Sequence, residues 1–199
     1  MLIVFAILLL IFAMAGVFIG PPLKRARLAS AAMDVEVLAK KVPIESRSRR
    51  GGQGLIVFLR SNTANRTLEL VADTNPAPAG NGTFEDPDGG GSTDTRLGDI
   101  QPVQLPEGVV FYDPGVPYGN SWANWGATAT GFAVGVDFQG RTVRPTGGQI
   151  AGAATLFLTH ADMVSGVVAP LVVHRISIAP VWGVRQTRLV KDGAGWKEY

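Results

Sequence analysis

Few residues in this chain could support catalysis, and they are scattered. His160 and His174 are the two histidines, and His160 has Asp162 close by in the segment THADMV. A histidine and a carboxylate without a nucleophile do not make an acid–base site, while His174 lies in an apolar, strand-like run. The chain has no cysteine, no serine in a nucleophile elbow and no glycine-rich phosphate loop between a strand and a helix. The sequence therefore predicts a protein that is not an enzyme and has no catalytic residues.

One segment carries candidate metal ligands. The stretch EDPDGGGSTD, residues 85–94, holds Glu85, Asp86, Asp88 and Asp94 around three glycines. Carboxylates on a flexible backbone are ligands that calcium prefers, but their spacing here does not fit the EF-hand pattern. A solvated acidic loop is therefore favoured, and no cofactor is predicted. The alternative is a calcium site formed by Asp86, Asp88 and Asp94.

The strongest pattern in the chain is the apolar run at its N-terminus, MLIVFAILLLIFAMAGVFIG. Thirteen of the first nineteen residues are Leu, Ile, Val or Phe, and none is charged. As a helix, twenty residues span about 30 Å, which matches the hydrocarbon core of a bilayer. Residues 1–22 are therefore predicted to form a transmembrane or filament-core helix. A cleaved signal peptide fits less well, because no basic residue precedes the run, and a buried core helix is the third alternative.

The next segment continues the helix in amphipathic form. In LKRARLASAAMDVEVLAKKV the apolar residues recur every three or four positions, which predicts the second half of one long helix over residues 23–52. The two prolines at 21 and 22, and Pro43, are expected to bend this helix without ending it. The face predicted to pack on the rest of the domain consists of Leu28, Ala31, Ala32, Val35, Leu38, Ala39 and Val42.

Residues 53–199 have the period of strands. The runs at 54–60 and 67–73 predict a hairpin, and further strands are expected at 104–113, 131–138, 141–145, 155–160, 170–180 and 183–193. Residues 73–102 are read as one long loop, and the content of 25 glycines and 13 prolines is typical of turns rather than of a helical bundle. The predicted fold class is α+β, with a long kinked N-terminal helix packed on an antiparallel β-sheet domain.

The charge balance bears on partners and on orientation. The net charge of +2 does not indicate nucleic-acid binding. The basic residues Lys24, Arg25 and Arg27 follow the apolar run and would keep the body in the cytoplasm if Met1 is the translated start. A basic leader removed before Met1 would instead lead to export of the body.

The order of these segments resembles the type IV pilin superfamily, and within it the minor pseudopilin H/FimT-like branch. The resemblance is carried by the apolar N-terminal helix, by Pro22 at the expected kink, and by LPEGV, VDFQGRTV and HRISIAPVWGVRQTRLV at residues 105–109, 136–143 and 174–190. It covers nearly the whole chain, and it rests on the order and spacing of these motifs. One departure is Phe5, which stands where pilins usually carry a glutamate.

The resemblance implies a pilin-like fold and a structural role. The subunit would be anchored in a bacterial inner membrane with its body exported, and would then polymerise into a type IV pilus or a type II secretion pseudopilus. Its partners would be copies of itself or other pilin-like subunits. The alternative is a membrane-anchored periplasmic β-domain that binds a partner without polymerising. The residues implied in assembly are Met1, Phe5, Leu9, Phe12, Gly16, Gly20 and Pro22.

A last group of aromatic residues stands in a predicted loop. Tyr118, Trp122 and Trp125 occur within VPYGNSWANWG. Two roles are open to them, packing over a sheet edge and contacting another subunit or a ligand.

Overall fold

The computed structural model describes residues 2–49, 55–75, 80–89, 93–115, 122, 124–179, 183–193 and 195–199, with the side chains in these ranges except at positions 2, 6 and 9–18. The chain begins with a single helix, α1 (Leu2–Ser48), which is continuous through Pro21, Pro22 and Pro43. One short helix follows much later, α2 (Ala161–Val164). The remaining elements are strands.

The strands form two antiparallel sheets. The first sheet has the order β3-β2-β1-β7-β6, with β4 paired to β2 and β8 paired to β7, and the second has the order β12-β11-β10-β9-β5. The first sheet consists of β1 (Val57–Asn62), β2 (Thr67–Ala72), β3 (Thr95–Arg96), β4 (Val103–Gln104), β6 (Gly126–Ala127), β7 (Gly131–Val136) and β8 (Thr142–Val143). The second consists of β5 (Val109–Phe111), β9 (Ala154–His160), β10 (Val172–Ile178), β11 (Val184–Asp192) and β12 (Gly195–Glu198).

The predicted fold class is wrong. The described part of the chain is mostly β, with twelve strands in two sheets, rather than a pilin-like α+β arrangement of a long helix on one antiparallel sheet. The physical reason lies in the strand pairing. β1 pairs with β7, whose paired residues lie 69 to 79 positions further along the chain, while β9 pairs with β10 and β5 among the described strands. Periodicity indicates which segments are strands but not which of them share hydrogen bonds, so the break between the sheets was not visible.

The predicted location is also wrong. A bilayer crossing needs about 20 consecutive apolar residues in one helix. Within the residues and side chains that the structure describes, no helix meets that requirement. This finding overturns the prediction that the chain is anchored in a bacterial inner membrane with its body exported.

Local structure follows the sequence pattern closely in two places. The β1–β2 hairpin is confirmed, with Val57 paired to Ala72 and Asn62 paired to Thr67. The predicted buried face of α1 is also confirmed, because its residues are between 0% and 2% exposed and belong to the main hydrophobic core together with residues of both sheets. These residues are Leu28, Ala31, Ala32, Val35, Leu38, Ala39 and Val42. They define the buried face of α1.

An aromatic cluster joins the two sheets. The Trp122 ring stacks on Phe132 of β7 with 4.6 Å between centroids, and it lies 4.7 Å from Phe111 of β5 and 5.0 Å from Trp125. Trp122 and Trp125 therefore pack over the sheets, the first of the two roles left open by the sequence. Tyr118 lies outside the described residues.

Candidate functional site

The two histidines have structural roles. His160 is buried at the end of β9, and its Nδ1 accepts a hydrogen bond of 3.2 Å from the backbone N–H of Asp162, which caps α2. The Asp162 carboxylate forms an ion pair with Lys24 of α1. These contacts tie α2 to the end of β9 and to α1.

His174 is buried in β10. Its Nδ1 lies 2.7 Å from Nε2 of Gln186. Burial, and then the positive charge of Arg188, lower the pKa of His174 to about 4. The imidazole is therefore neutral near pH 7, and His174 is an uncharged polar group beside α1.

The acidic loop is organised around a buried arginine, which the sequence reading did not identify. Arg60 of β1 is completely buried and forms ion pairs with Glu69 of β2, with Asp86 and with Asp88. The Asp86 contact measures 2.7 Å between Oδ1 and Nη2. The half-exposed Arg96 also pairs with Glu69 and Asp88. The two arginines hold the pKa of Asp88 below its usual value through hydrogen bonds and charge.

The residues of the predicted calcium alternative are thereby separated into two groups. Asp86 and Asp88 face Arg60, whereas Asp94 lies beside Asp73 and Glu85. One carboxylate oxygen from each of Asp73, Glu85 and Asp94 lies within 4.8 Å of the other two. The pairing of Ala72 with Thr95 explains the approach, because Asp73 directly follows β2 and Asp94 directly precedes β3. Only that strand pairing could have revealed the cluster, since the two aspartates are twenty-one positions apart.

The Asp73–Glu85–Asp94 cluster has the donor set for a hard cation such as calcium. Its aspartates are already bonded to backbone: Asp73 accepts from Asn81 at 3.1 Å and from Gly82 at 2.7 Å, and Asp94 accepts from Thr74 at 3.1 Å and from Glu85 at 2.9 Å. Burial, opposed by these bonds and reinforced by the neighbouring carboxylates, raises the pKa of Asp94 to about 6 and also raises that of Asp73.

The helix α1 presents a second apolar face, opposite the buried one. Its residues are Leu23, Ala26, Ser30, Met33, Val37 and Ile44, and each is exposed. They recur alternately three and four positions apart as far as Val37, and the exposed Lys40 occupies the next position of the pattern before Ile44. We call this set the outer seam. At about 100° per residue, its centre lies roughly 160° from the centre of the buried face. The exposed fractions of Met33, Val37 and Ile44 are 59%, 54% and 60%. The centre of the outer seam thus lies on the side of α1 opposite the face that packs on the sheets.

The N-terminal part of α1 is exposed on more than one side. Ile3, Val4, Phe5, Ile7 and Leu8 are 45–76% exposed, and their positions cover an arc of about 200° around the helix. No Asp, Glu, Lys or Arg occurs before residue 24. This part of the helix therefore presents an uncharged apolar surface around more than half of its circumference.

The residues predicted to act in assembly lie along this part of α1. Phe5 is 68% exposed, Pro22 is exposed, and an added Cβ at Gly20 would meet no atom within 4 Å. Met1 lies outside the described residues, as do the side-chain positions of Leu9, Phe12 and Gly16. Periodicity alone does not single out the outer seam, and its spacing stands out only when the buried face of α1 is known.

Comparison with known proteins identifies no relative. No family model matches the chain, and neither does any curated protein or solved structure. The resemblance to type IV pilins therefore stays a prediction, and the function has to be argued from the molecular surface.

Proposed function

We propose that this chain is a structural subunit that assembles with further copies of itself through α1. The observation that carries the proposal is the exposed apolar surface of that helix. Of the thirteen large hydrophobic side chains that are exposed among the described residues, ten belong to α1. The remaining surface of the two sheets has few such side chains, so the surface available for association is concentrated on one element.

The energetics favour covering this surface. Fully burying a large aliphatic or aromatic side chain stabilises by about 1.5–3 kcal/mol relative to leaving it in water. A helix that is apolar on all sides is normally buried against other protein or lipid. Among the described side chains of α1, the buried face is covered by the domain and ten large apolar side chains stay exposed, so these ten require an external contact.

The chemistry of the helix favours copies of the same chain as that contact. Because no charged residue occurs before Lys24, the N-terminal part offers nothing that would select a charged partner. An arc of about 200° is wider than the apolar stripe of about 100° that one packed helix covers. Several neighbouring helices are therefore needed around residues 3–8, which is the arrangement of a helix-cored polymer and not of an isolated pair.

The geometry of the domain is compatible with such a core. The outer seam lies on the side of α1 opposite the buried face, and its side chains are exposed, so a neighbouring α1 helix can pack on it. Repeated head-to-tail contacts around the more widely exposed residues 3–8 build open assemblies unless their rotation closes a ring. The proposed function is accordingly a filament-forming subunit with α1 in the filament core.

The test uses the full chain and two valine substitutions. Sedimentation velocity and negative-stain electron microscopy should show concentration-dependent assemblies for the unmodified chain, and Val37→Arg should reduce them. Val37 is already 54% exposed in the subunit, so the thermal melting of the domain should change little. Val167→Arg is the matched control, because Val167 is 73% exposed but lies outside α1.

Two results would overturn the proposal. A chain that stays monomeric at all concentrations would favour the alternative of a non-polymerising β-domain. Assemblies that respond equally to Val37→Arg and Val167→Arg would show that α1 does not form the contact.

A further inference from the structure

A pocket lies directly beside the outer seam. Its volume is about 330 Å³, and it is lined by Arg25, Ala26 and Ala29 of α1, by Val172 and His174 of β10, and by Arg188 of β11. Ala26 belongs both to this lining and to the outer seam. A helix packed on the seam would therefore pass across the mouth of the pocket.

The pocket has positive charge without a compensating carboxylate in its lining. Arg25 donates from Nη2 to the backbone oxygen of Ala169 at 2.5 Å. Its Nε is buried and has no hydrogen-bond partner within the described part of the chain. Arg188 is exposed, with its guanidinium carbon 5.9 Å from the centroid of the Tyr199 ring. His174 is neutral near pH 7, so two guanidinium groups and apolar walls remain, a combination suited to a carboxylate on a short side chain.

The heptad geometry of α1 indicates which carboxylate could reach the pocket. In a parallel pair of helices, a residue flanking the seam on one helix faces the residue five positions further along on the other. Ala29 flanks the outer seam on the side of the pocket, and the residue five positions further along is Asp34, which flanks the opposite side. Asp34 is exposed and forms no hydrogen bond or ion pair with the residues that the structure describes.

We propose that two copies pair through the outer seam in parallel and in register, and that Asp34 of each copy docks in the pocket of Arg25 and Arg188 of the other. This inference rests on the proposed function and specifies one contact within it. Along residues 23–44, α1 is covered by the sheets on its buried face and exposed along the outer seam, so this part of the helix takes one neighbouring helix. The N-terminal part, which is exposed more widely, connects such pairs to further copies.

The other charges beside the seam select the same register. With the helices in phase, Glu36 of one copy faces Lys41 of the other, again five positions apart, and the charges attract. A slip of one heptad in one direction places Glu36 opposite Asp34, and a slip in the other direction brings Lys41 to the arginine pocket. Both slips bring like charges together, which is unfavourable.

The composition of the seam also suits two helices. Val37 and Ile44 are β-branched and occupy equivalent heptad positions, a choice that favours two-stranded coils. Lys40 occupies a seam position in the same pattern and forms an ion pair of 2.7 Å with Glu36. Lys40 and Ser30 are the polar residues of the pattern, and a polar residue at such a position fixes register at a cost in stability.

Cysteine cross-linking tests the orientation. The chain has no cysteine, so each single substitution introduces the only thiol. In a parallel in-register pair, Leu23→Cys and Ile44→Cys should each form a disulfide with themselves under mild oxidation, because the equivalent Cα atoms lie within bridging distance. Val167→Cys is the control, exposed but away from the seam. Cross-linking only in a mixture of the Leu23→Cys and Ile44→Cys chains would show an antiparallel pair and overturn the inference.

Charge reversal tests the docking of Asp34. Asp34→Lys and Arg188→Asp should each weaken pairing by roughly tenfold or more in sedimentation equilibrium, whereas the double variant should recover most of the loss. Thermal melting of each variant checks that the domain stays folded. Unchanged pairing in Asp34→Lys, or no recovery in the double variant, would overturn the docking contact.

These outcomes are separable from a failure of the proposed function. If the unmodified chain does not associate, the proposed function fails together with the inference. If it associates and Val37→Arg disrupts it, but neither Leu23→Cys nor Ile44→Cys cross-links with itself, the function stands and the parallel register is refuted.

Discussion

Replacing Arg60 by Met should destabilise the domain strongly. The side chain of Arg60 is completely buried, and it forms ion pairs with Glu69, Asp86 and Asp88. Methionine fills a similar volume but leaves these carboxylates without their shared cation. Breaking a buried ion pair by removing one member costs about 3–5 kcal/mol, because the remaining charge stays in a poorly solvated place.

The expected magnitude lies towards the lower end of that range. Arg96 also contacts Glu69 and Asp88, so it can compensate part of their negative charge when Arg60 is removed. The side chain of Asp86 is only 9% exposed, and among the described contacts its cationic partner is Arg60. We therefore expect a loss of about 3 kcal/mol in the free energy of unfolding. Arg96→Met is the matched control. Its side chain is 45% exposed, and exposed pairs contribute about 0–1 kcal/mol.

The assay is urea unfolding followed by circular dichroism, with the midpoint and slope compared across the three proteins.

The pH dependence gives a second check. The pKa of Asp88 is lowered in the folded state. Ionised Asp88 therefore stabilises the fold at pH values above its pKa in the unfolded chain, and this stabilisation is lost as the pH falls through its pKa in the folded state. The difference between the unmodified chain and Arg60→Met should therefore shrink below about pH 4. A loss of under 1 kcal/mol at pH 7, or one equal to that of Arg96→Met, would refute this account of the buried network.

Three further predictions concern α1 and the acidic cluster. Val35→Asp places a charge in the core and should lower the free energy of unfolding by about 3–5 kcal/mol, measured by thermal or urea unfolding. Val37→Asp, on the opposite face of α1, should lower it far less. Equal losses in the two variants would contradict the assignment of the two faces. Assemblies should resist high salt and dissolve in detergent, because their contacts are apolar. Phe5→Glu should reduce the yield of assemblies in electron micrographs, because it places a charge in an apolar contact. A normal or higher yield would show that position 5 accepts a carboxylate. The folded state holds a proton on Asp94 up to about pH 6, so this group makes stability fall by up to about 3 kcal/mol as pH rises from about 4 to about 6. Asp94→Asn should remove that dependence in urea titrations at the two pH values, and a shift of several degrees in melting temperature on adding calcium at pH 7, absent in Asp94→Asn, would show that the cluster binds the ion.

The sequence by itself determined the local elements. Residues spaced three and four apart predicted the face of α1 that packs on the domain, because helical periodicity depends only on neighbouring positions. Alternating residues around a short turn likewise predicted the β1–β2 hairpin, whose strands are adjacent in the chain. Both predictions concern contacts whose geometry is set within a few residues.

Only the tertiary structure decided which strands share a sheet. Strand patterns do not encode their distant partners, and the pairing of β1 with β7 separates the first sheet from the second. The same long-range pairing brings Asp73 to Asp94, and packing of the loop over β1 brings Asp86 to Arg60. The sequence of the acidic segment predicts a solvated loop because it shows the carboxylates but not the buried cation that holds two of them.

The tertiary structure also decided which apolar face of α1 is free. Leu28 and Val35 resemble Met33 and Val37 in the sequence, since all four are apolar and lie on regularly spaced stripes of one helix. Packing against two sheets covers the first pair completely and leaves the second pair more than half exposed. Periodicity records that a face is apolar, but the burial of that face depends on the position of the sheets, which is set by residues far along the chain.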